Sequence, residues 1–244
     1  MATQKNASNK NSNDQTVRRK TAVTKIELKS EAVYLHMRGQ SGEAIHKALY
    51  RMGELFKMTH RSSDKKVYNT IKDWFQKEII DVAEKDIDKL VNYFEALQSE
   101  LVPGYSFLDI KNPKMDLEFS IIHKSHLDII NLISKIDIVM DDIEAIALSG
   151  SFDDDIENNA RNQALSILNN IASKIFKITK PGKRNGGPFS PGFFLEGLQK
   201  GVFTLYPDPD TKVESNVVNM DSKNESELIA KKTDTENVEL TEAV

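Results

Sequence analysis

The hexapeptide Thr24-Lys25-Ile26-Glu27-Leu28-Lys29 alternates polar and apolar side chains. A period of two is typical of a strand that has one face buried and the other face in solvent. Ser30 follows directly, and its hydroxyl can accept a hydrogen bond from a free backbone N–H group in the first turn of a helix. We therefore predict a strand over residues 24–29 that leads into a helix over residues 30–38.

A second helix follows after a short turn. Gly39 ends the first helix, and Ser41 is placed to cap the next one, which we predict over residues 42–58. Apolar residues recur there at spacings of three and four, as in an amphipathic helix with one buried face. They are Ile45, Leu49, Met52, Leu55 and Phe56. Residues 24–58 thus form a predicted strand–helix–helix unit.

The chain beyond residue 66 is predicted to be helical, with one further strand. Apolar stripes predict helices within residues 67–82 and 87–101, and strict alternation predicts a strand over residues 114–122. An apolar face that starts at Ser125 predicts a long helix with Gly150 as its C-cap. The predicted fold class is mainly α with a short ribbon strand.

The last predicted helix begins near Asp153-Asp154-Asp155, where carboxylates suit the positive end of the helix dipole, and runs to about residue 178. A basic loop over residues 180–188 follows it. Beyond the loop lies an apolar patch of Phe189, Phe193, Phe194 and Leu198.

Composition excludes several kinds of protein. The 244 residues include no cysteine, which rules out disulfides, thiol catalysis and cysteine-based zinc sites. No apolar stretch approaches the roughly 18 residues of a membrane span, and the polar N-terminus does not resemble a signal peptide. We expect a soluble protein of the bacterial cytoplasm.

The net charge of −4 conceals a gradient along the chain. Residues 1–20 carry a net charge of +4, residues 205–244 carry −6, and residues 21–204 carry −2. Both ends are rich in small polar and charged residues, so we predict a disordered basic arm, a folded domain and a disordered acidic tail. A basic arm suits a polyanionic partner, although either end can also be a solvating tail without a task.

The sequence lacks the common motifs of catalytic sites. There is no phosphate-binding GxxxxGK[ST] loop, no GxGxxG turn and no HExxH pair. His123 and His126 are three residues apart, but Asp128 is the nearest third donor and points away from their face. Asp137, Asp141 and Glu144 share a helical face that we interpret as solvated. We expect neither enzymatic activity, nor a cofactor, nor a bound metal.

The strand–helix–helix order of residues 24–58 points to nucleic-acid binding instead. A two-stranded ribbon can enter the major groove of DNA and contact the base edges there. A lone strand must take its partner from a second subunit, which is the ribbon-helix-helix arrangement, with an intertwined homodimer. The alternative is an edge strand that pairs with residues 114–122 in a small sheet.

The predicted DNA contacts come from this unit and its flanks. Lys25, Glu27 and Lys29 would face outward from the ribbon, and the backbone of Ser41 and Gly42 would offer N–H groups to a phosphate. The arm residues would follow the DNA backbone, and the basic loop is the next candidate. These residues are Arg18, Arg19, Lys20, Lys183 and Arg184.

Two stretches of the sequence resemble a known family. Residues 25–39, Lys-Ile-Glu-Leu-Lys-Ser-Glu-Ala-Val-Tyr-Leu-His-Met-Arg-Gly, resemble the opening motif of AcaB-like proteins, which conjugative plasmids and integrative elements encode. The stretch from Asn112-Pro113 to Ile136-Asp137-Ile138-Val139-Met140 resembles their later strand, helix and Asp-containing motif. The basic and histidine residues usual after that Asp are here Glu144-Ala145-Ile146-Ala147.

This resemblance implies a homodimeric ribbon-helix-helix regulator that binds DNA and activates conjugative-transfer genes. We predict that function, with double-stranded DNA as the partner and with the helices beyond residue 66 stabilising the dimer or contacting other proteins. The alternative is a helical interaction module without nucleic-acid binding, in which the patch from Phe189 to Leu198 docks a protein partner.

Overall fold

The computed structural model describes residues 20–61, 65–101, 111, 115–148, 154–183 and 187–206. Nearly all of the predicted basic arm and of the predicted acidic tail lies outside these residues, as does the predicted cap Gly150. Of the tail, Leu205 and Tyr206 are described, and Leu205 is buried. The chain divides after Leu205, and every element below belongs to the first unit, Met1–Leu205.

The described part of the chain is mainly helical, with two short strands, as predicted. A π-helical segment, Phe75–Ile80, joins α3 to α4, and a single 3-10 turn, Lys180–Gly182, follows α6. No described helix is long and apolar enough to cross a membrane. The elements in chain order are β1 Ala22–Leu28, α1 Glu31–Arg38, α2 Gln40–His60, α3 Lys66–Trp74, α4 Asp81–Glu100, β2 Met115–Ile121, α5 Ser125–Leu148, α6 Asp154–Thr179 and α7 Pro191–Gln199.

The turn between α1 and α2 is tighter than the sequence predicts. Gly39 both ends α1 and is the N-cap of α2, which therefore begins at Gln40. The prediction that Ser41 caps this helix is wrong, because Ser41 already lies in its first turn. A Cβ atom on Gly42 would lie 1.7 Å from the carbonyl oxygen of Met37, so only glycine permits this close approach of the two helices.

The two strands pair with each other inside one chain. They are antiparallel, with Lys25 opposite Glu118 and Ile26 opposite Leu117. The prediction that β1 takes its partner from a second subunit is thereby corrected, and the alternative pairing with residues 114–122 is the one found. The physical reason is a shared core, since Leu28 of β1 and Phe119 of β2 are both buried on the same side of the sheet.

The apolar patch after the basic loop is part of the core. Phe194 is fully buried and Leu195 nearly so, while Phe189 and Leu198 pack against the core from its edge. The ring of Phe194 also stacks on Phe203, with centroids 5.8 Å apart. Phe193, the remaining member of the predicted patch, is half-buried like Phe189 and Leu198. The chain therefore covers the patch only in part, and the alternative that it docks a partner stays a prediction.

Candidate nucleic-acid interface

The paired strands β1 and β2 form a two-stranded ribbon within one chain. The outer face of this ribbon carries more negative than positive charge. Lys25 and Glu27 of β1 and Asp116 and Glu118 of β2 are its exposed ionised side chains. Lys25 Nζ lies 2.5 Å from Asp116 Oδ2, and that hydrogen bond raises the pKa of Lys25. The predicted DNA contact Lys25 is therefore held by an acidic neighbour, and Glu27 lies opposite Asp116.

The junction between β1 and α1 is held by Asp137 of α5. The side chain of Asp137 is only 3% exposed. Its Oδ1 accepts hydrogen bonds from the backbone N–H groups of Lys29 at 3.1 Å and Ser30 at 3.0 Å, and Oδ2 accepts from Lys29 at 3.0 Å. Burial raises the pKa of Asp137, while these N–H donors act in the opposite direction.

Glu144, two turns further along α5, caps the same helix start. Its Oε1 accepts from Ser30 Oγ at 2.7 Å and from the backbone N–H of Ala32 at 3.1 Å. Oε2 accepts from the N–H of Glu31 at 3.0 Å, and Ser30 Oγ accepts from Val33 at 3.2 Å. The first turn of α1, whose N–H groups have no partner within the helix, is thus satisfied by two carboxylates and one hydroxyl.

These roles of Asp137 and Glu144 differ from the solvated face that the sequence suggests. The pattern did contain a signal, because Asp137 follows the buried Ile136 and comes three residues before the buried Met140 on α5. A carboxylate beside an apolar helix stripe requires a set of donors, and here the donors are the backbone N–H groups at the start of α1. The two residues therefore position the junction between β1 and α1.

The start of α2 is a restricted site for a phosphate. Ser41 is half-buried and Gly42 is buried against Met37. The free N–H groups of the first turn favour an anion, but Glu43 lies in the same turn and pairs with Lys47 at 3.0 Å. The predicted contact at Ser41 and Gly42 therefore has an acidic side chain beside it.

The remaining predicted contacts are dispersed. Lys20 and Lys29 are exposed on either side of β1. Lys29 lines a groove of about 500 Å³ in which three basic side chains are outnumbered by four acidic ones, Glu31, Asp141, Glu144 and Glu157. Lys183 is exposed after the 3-10 turn. Arg18, Arg19 and Arg184 lie outside the described residues.

The two histidines at the start of α5 are packed side chains. The ring of His123 stacks on Phe56 with centroids 4.8 Å apart, and its Nδ1 lies 3.0 Å from Ser125 Oγ. Burial, together with His126 and Lys124, lowers the pKa of His123 to about 4. Within the described ranges, no three His, Asp or Glu side chains are grouped so that they could hold a metal ion.

A protein of known structure has a similar architecture. No protein-family model matches the sequence, and no curated protein matches it. Among solved structures, the chain is similar to selenomethionine-containing AcaB from uropathogenic E. coli, with a TM-score of 0.52 and 14% sequence identity. The similarity covers 75% of this chain and 86% of that chain. The fold of the protein is therefore AcaB-like.

Proposed function

We propose that this protein is a sequence-specific transcriptional regulator that binds operator DNA as a homodimer. The observation that supports this proposal most is the uninterrupted order of β1, α1 and α2 in a chain with an AcaB-like fold. The sequence resemblance to AcaB-like proteins adds the biological setting, which is the activation of conjugative-transfer genes.

The dimer would form along the open edge of β1. Within the described residues, β1 pairs only with β2, so its second edge has no neighbouring strand. An exposed edge of this kind readily pairs with a strand of another chain. Two copies joined at β1 would present Lys25, Glu27 and Lys29 from each copy on the two central strands, which match the width of the major groove.

The acidic residues of β2 would then flank the central strands. Asp116 and Glu118 would face the phosphates at the groove walls and would lower the affinity for every DNA sequence alike. Lys25 and Lys29 would donate to base edges, and Glu27 would accept from a cytosine amino group. The repulsion between these carboxylates and the phosphates would weaken every complex with DNA. Only the correct base contacts would offset it, so the ribbon would gain selectivity.

The test is a gel shift of the full-length protein with duplexes from its own gene neighbourhood, in an excess of unrelated DNA. A selective shift by a species with the mass of a dimer supports the proposal. Absence of any selective shift across all fragments overturns it.

The acidic outer face of the ribbon favours a second candidate, a helical interaction module that binds no nucleic acid. Its three carboxylates and one lysine give a net charge of −2 on the face that would approach DNA. Added salt separates the candidates, because the release of counterions from phosphates makes DNA binding fall steeply with salt concentration. An interaction module would show no such dependence on salt in a DNA-binding assay.

A further inference from the structure

The side chain of Arg51, in α2, is half-buried, and three neighbouring side chains hold its guanidinium group in place. Its Nη1 donates to Thr179 Oγ1, at the end of α6, at 2.9 Å. Its central carbon lies 4.5 Å from the ring centroid of Phe176 and 5.1 Å from that of Phe189. Contacts of this kind with aromatic faces hold an arginine in one orientation without neutralising its charge.

A basic hairpin begins beside Arg51. Thr179 is followed directly by Lys180, and Phe189, whose ring Arg51 contacts, forms a β-bridge with Lys183. The hairpin is closed by a hydrogen bond from the Ser190 N–H to the Gly182 carbonyl at 2.9 Å. Lys180 and Lys183 are exposed, and so is Lys177 in the last turn of α6. We call Arg51, Lys177, Lys180 and Lys183 the Arg51 cluster.

Acidic residues are absent from the sequence around this cluster. From residue 158 to residue 195 there is no Asp or Glu, while the same stretch carries six Lys and Arg residues. No member of the Arg51 cluster forms an ion pair with any described residue. Of the acids on α2 and α7, Glu54 is only 7% exposed. Glu43 and Glu196 are exposed, but Glu43 pairs with Lys47 at 3.0 Å and Glu196 with Lys200 at 2.6 Å.

We propose that the Arg51 cluster is a second DNA-binding surface, which contacts the phosphate backbone of duplex DNA outside the ribbon. The inference rests on the proposed DNA-binding function and adds to it a surface of the opposite sign to the ribbon face. Guanidinium groups bind phosphate oxygens with a planar pair of donors, and lysines add charge without reading the bases. The cluster therefore contributes affinity, whereas the ribbon contributes selectivity.

The test measures binding by fluorescence anisotropy over a series of salt concentrations, with two duplexes of equal length. One duplex contains sequence from the neighbourhood of the protein's own gene, and the other is a scrambled version of it. The variants are Lys180→Gln/Lys183→Gln and Arg51→Lys, and Lys85→Gln is the control. Lys85 is equally exposed but lies on α4 among Asp81, Glu84, Asp86 and Asp88.

The double variant should bind both duplexes more weakly by the same factor. The slope of log affinity against log salt should fall by about 2, because each lost phosphate contact removes about 0.9. Arg51→Lys keeps the charge but loses the planar donors, so it should lower both affinities with little change in slope. Lys85→Gln should leave all of these quantities unchanged.

Failure of each proposal has its own signature. If the wild type selects its own sequence but the double variant keeps the wild-type slope, the Arg51 cluster is not a DNA surface and the proposed function stands. If the wild type binds both duplexes equally, and the double variant loses slope, the cluster is supported and the selective function is overturned. Binding to neither duplex overturns both.

Discussion

Ser30 donates its backbone N–H to Oδ1 of Asp137 at 3.0 Å, across 107 positions of the chain. This hydrogen bond joins the start of the first helix to the middle of the fifth. Together with the bonds from Lys29, it fixes the direction in which the chain leaves β1. The placement of the strand–helix–helix unit on the helical body therefore depends on a residue that belongs to neither the strand nor its two helices.

Replacing Asp137 by Asn should destabilise the protein. The amide retains one acceptor oxygen and turns an NH₂ group towards the N–H groups of Lys29 and Ser30, which leaves a buried donor without a partner. The expected loss is about 1–3 kcal/mol in the free energy of unfolding, measured by urea denaturation. Asp128→Asn, at an exposed position of the same helix, should cost well under 1 kcal/mol. Equal losses for the two variants would contradict the proposed role of Asp137.

Removing the acidic partner of Lys25 should strengthen DNA binding. Asp116→Asn removes the acidic partner and one negative charge from the outer face of the ribbon, so operator affinity should rise. Lys25→Ala and Lys29→Ala should lower operator affinity, and all three variants should leave the melting temperature nearly unchanged because the side chains are exposed. Anisotropy titrations and thermal melts together measure both effects. An affinity that stays the same in both lysine variants would move the DNA-binding site away from the ribbon.

Two glycines should respond to alanine in opposite ways. The new Cβ of Gly42→Ala would meet the carbonyl oxygen of Met37 at 1.7 Å, and this backbone cannot move aside cheaply. The expected cost is about 1–3 kcal/mol. The Cβ of Gly192→Ala would meet only the end of the Met58 side chain at 3.8 Å, so this variant should be neutral or slightly stabilising within α7. Chemical denaturation of both variants tests the tight turn between α1 and α2.

His123 should make stability fall in mild acid. Its pKa in the folded state is about 4, below the ordinary value of 6.5. The folded state therefore disfavours the imidazolium, so the contribution of His123 is complete above about pH 6.5 and is lost as the pH falls towards 4. His123→Phe can keep the ring contact with Phe56 and has no titrating group. The variant should lose less stability than the wild type between about pH 7 and about pH 5, and an identical loss would exclude His123 as a cause.

The spacing of apolar residues predicted most of the helices and strands, but it did not predict which strands pair with each other. The alternation at residues 24–29 and 114–122 shows which side chains face the core, and both strands are found there. It carries no information about which strand lies alongside, because the same alternation suits a neighbour in the same chain or in a second one. In the structure the two strands lie side by side in one chain, because Leu28 and Phe119 are buried in the same core.

The carboxylates of α5 illustrate a second limit. Helical spacing correctly puts Asp137 and Glu144 on one face, but their partners are backbone N–H groups and the Ser30 hydroxyl, more than 100 positions earlier. Backbone donors have no sequence signature, so the apolar neighbours of Asp137 indicate that its carboxylate needs donors but not which groups supply them. The start of α2 was misplaced for a similar reason, because the close contact of Gly42 with Met37 depends on tertiary geometry.

The dependence of α1 on Glu144 also delays the completion of the strand–helix–helix unit during synthesis. Ser30 and Glu144 are separated by 114 positions, which a ribosome takes about 6–23 s to translate at roughly 5–20 residues per second. Until residue 121 has been made, β1 has no complete β2 to pair with. Until residue 144 has been made, the N–H groups of Glu31 and Ala32 lack their carboxylate partner. A chain released before residue 144 therefore carries the whole strand–helix–helix sequence without all of the residues that hold it in place.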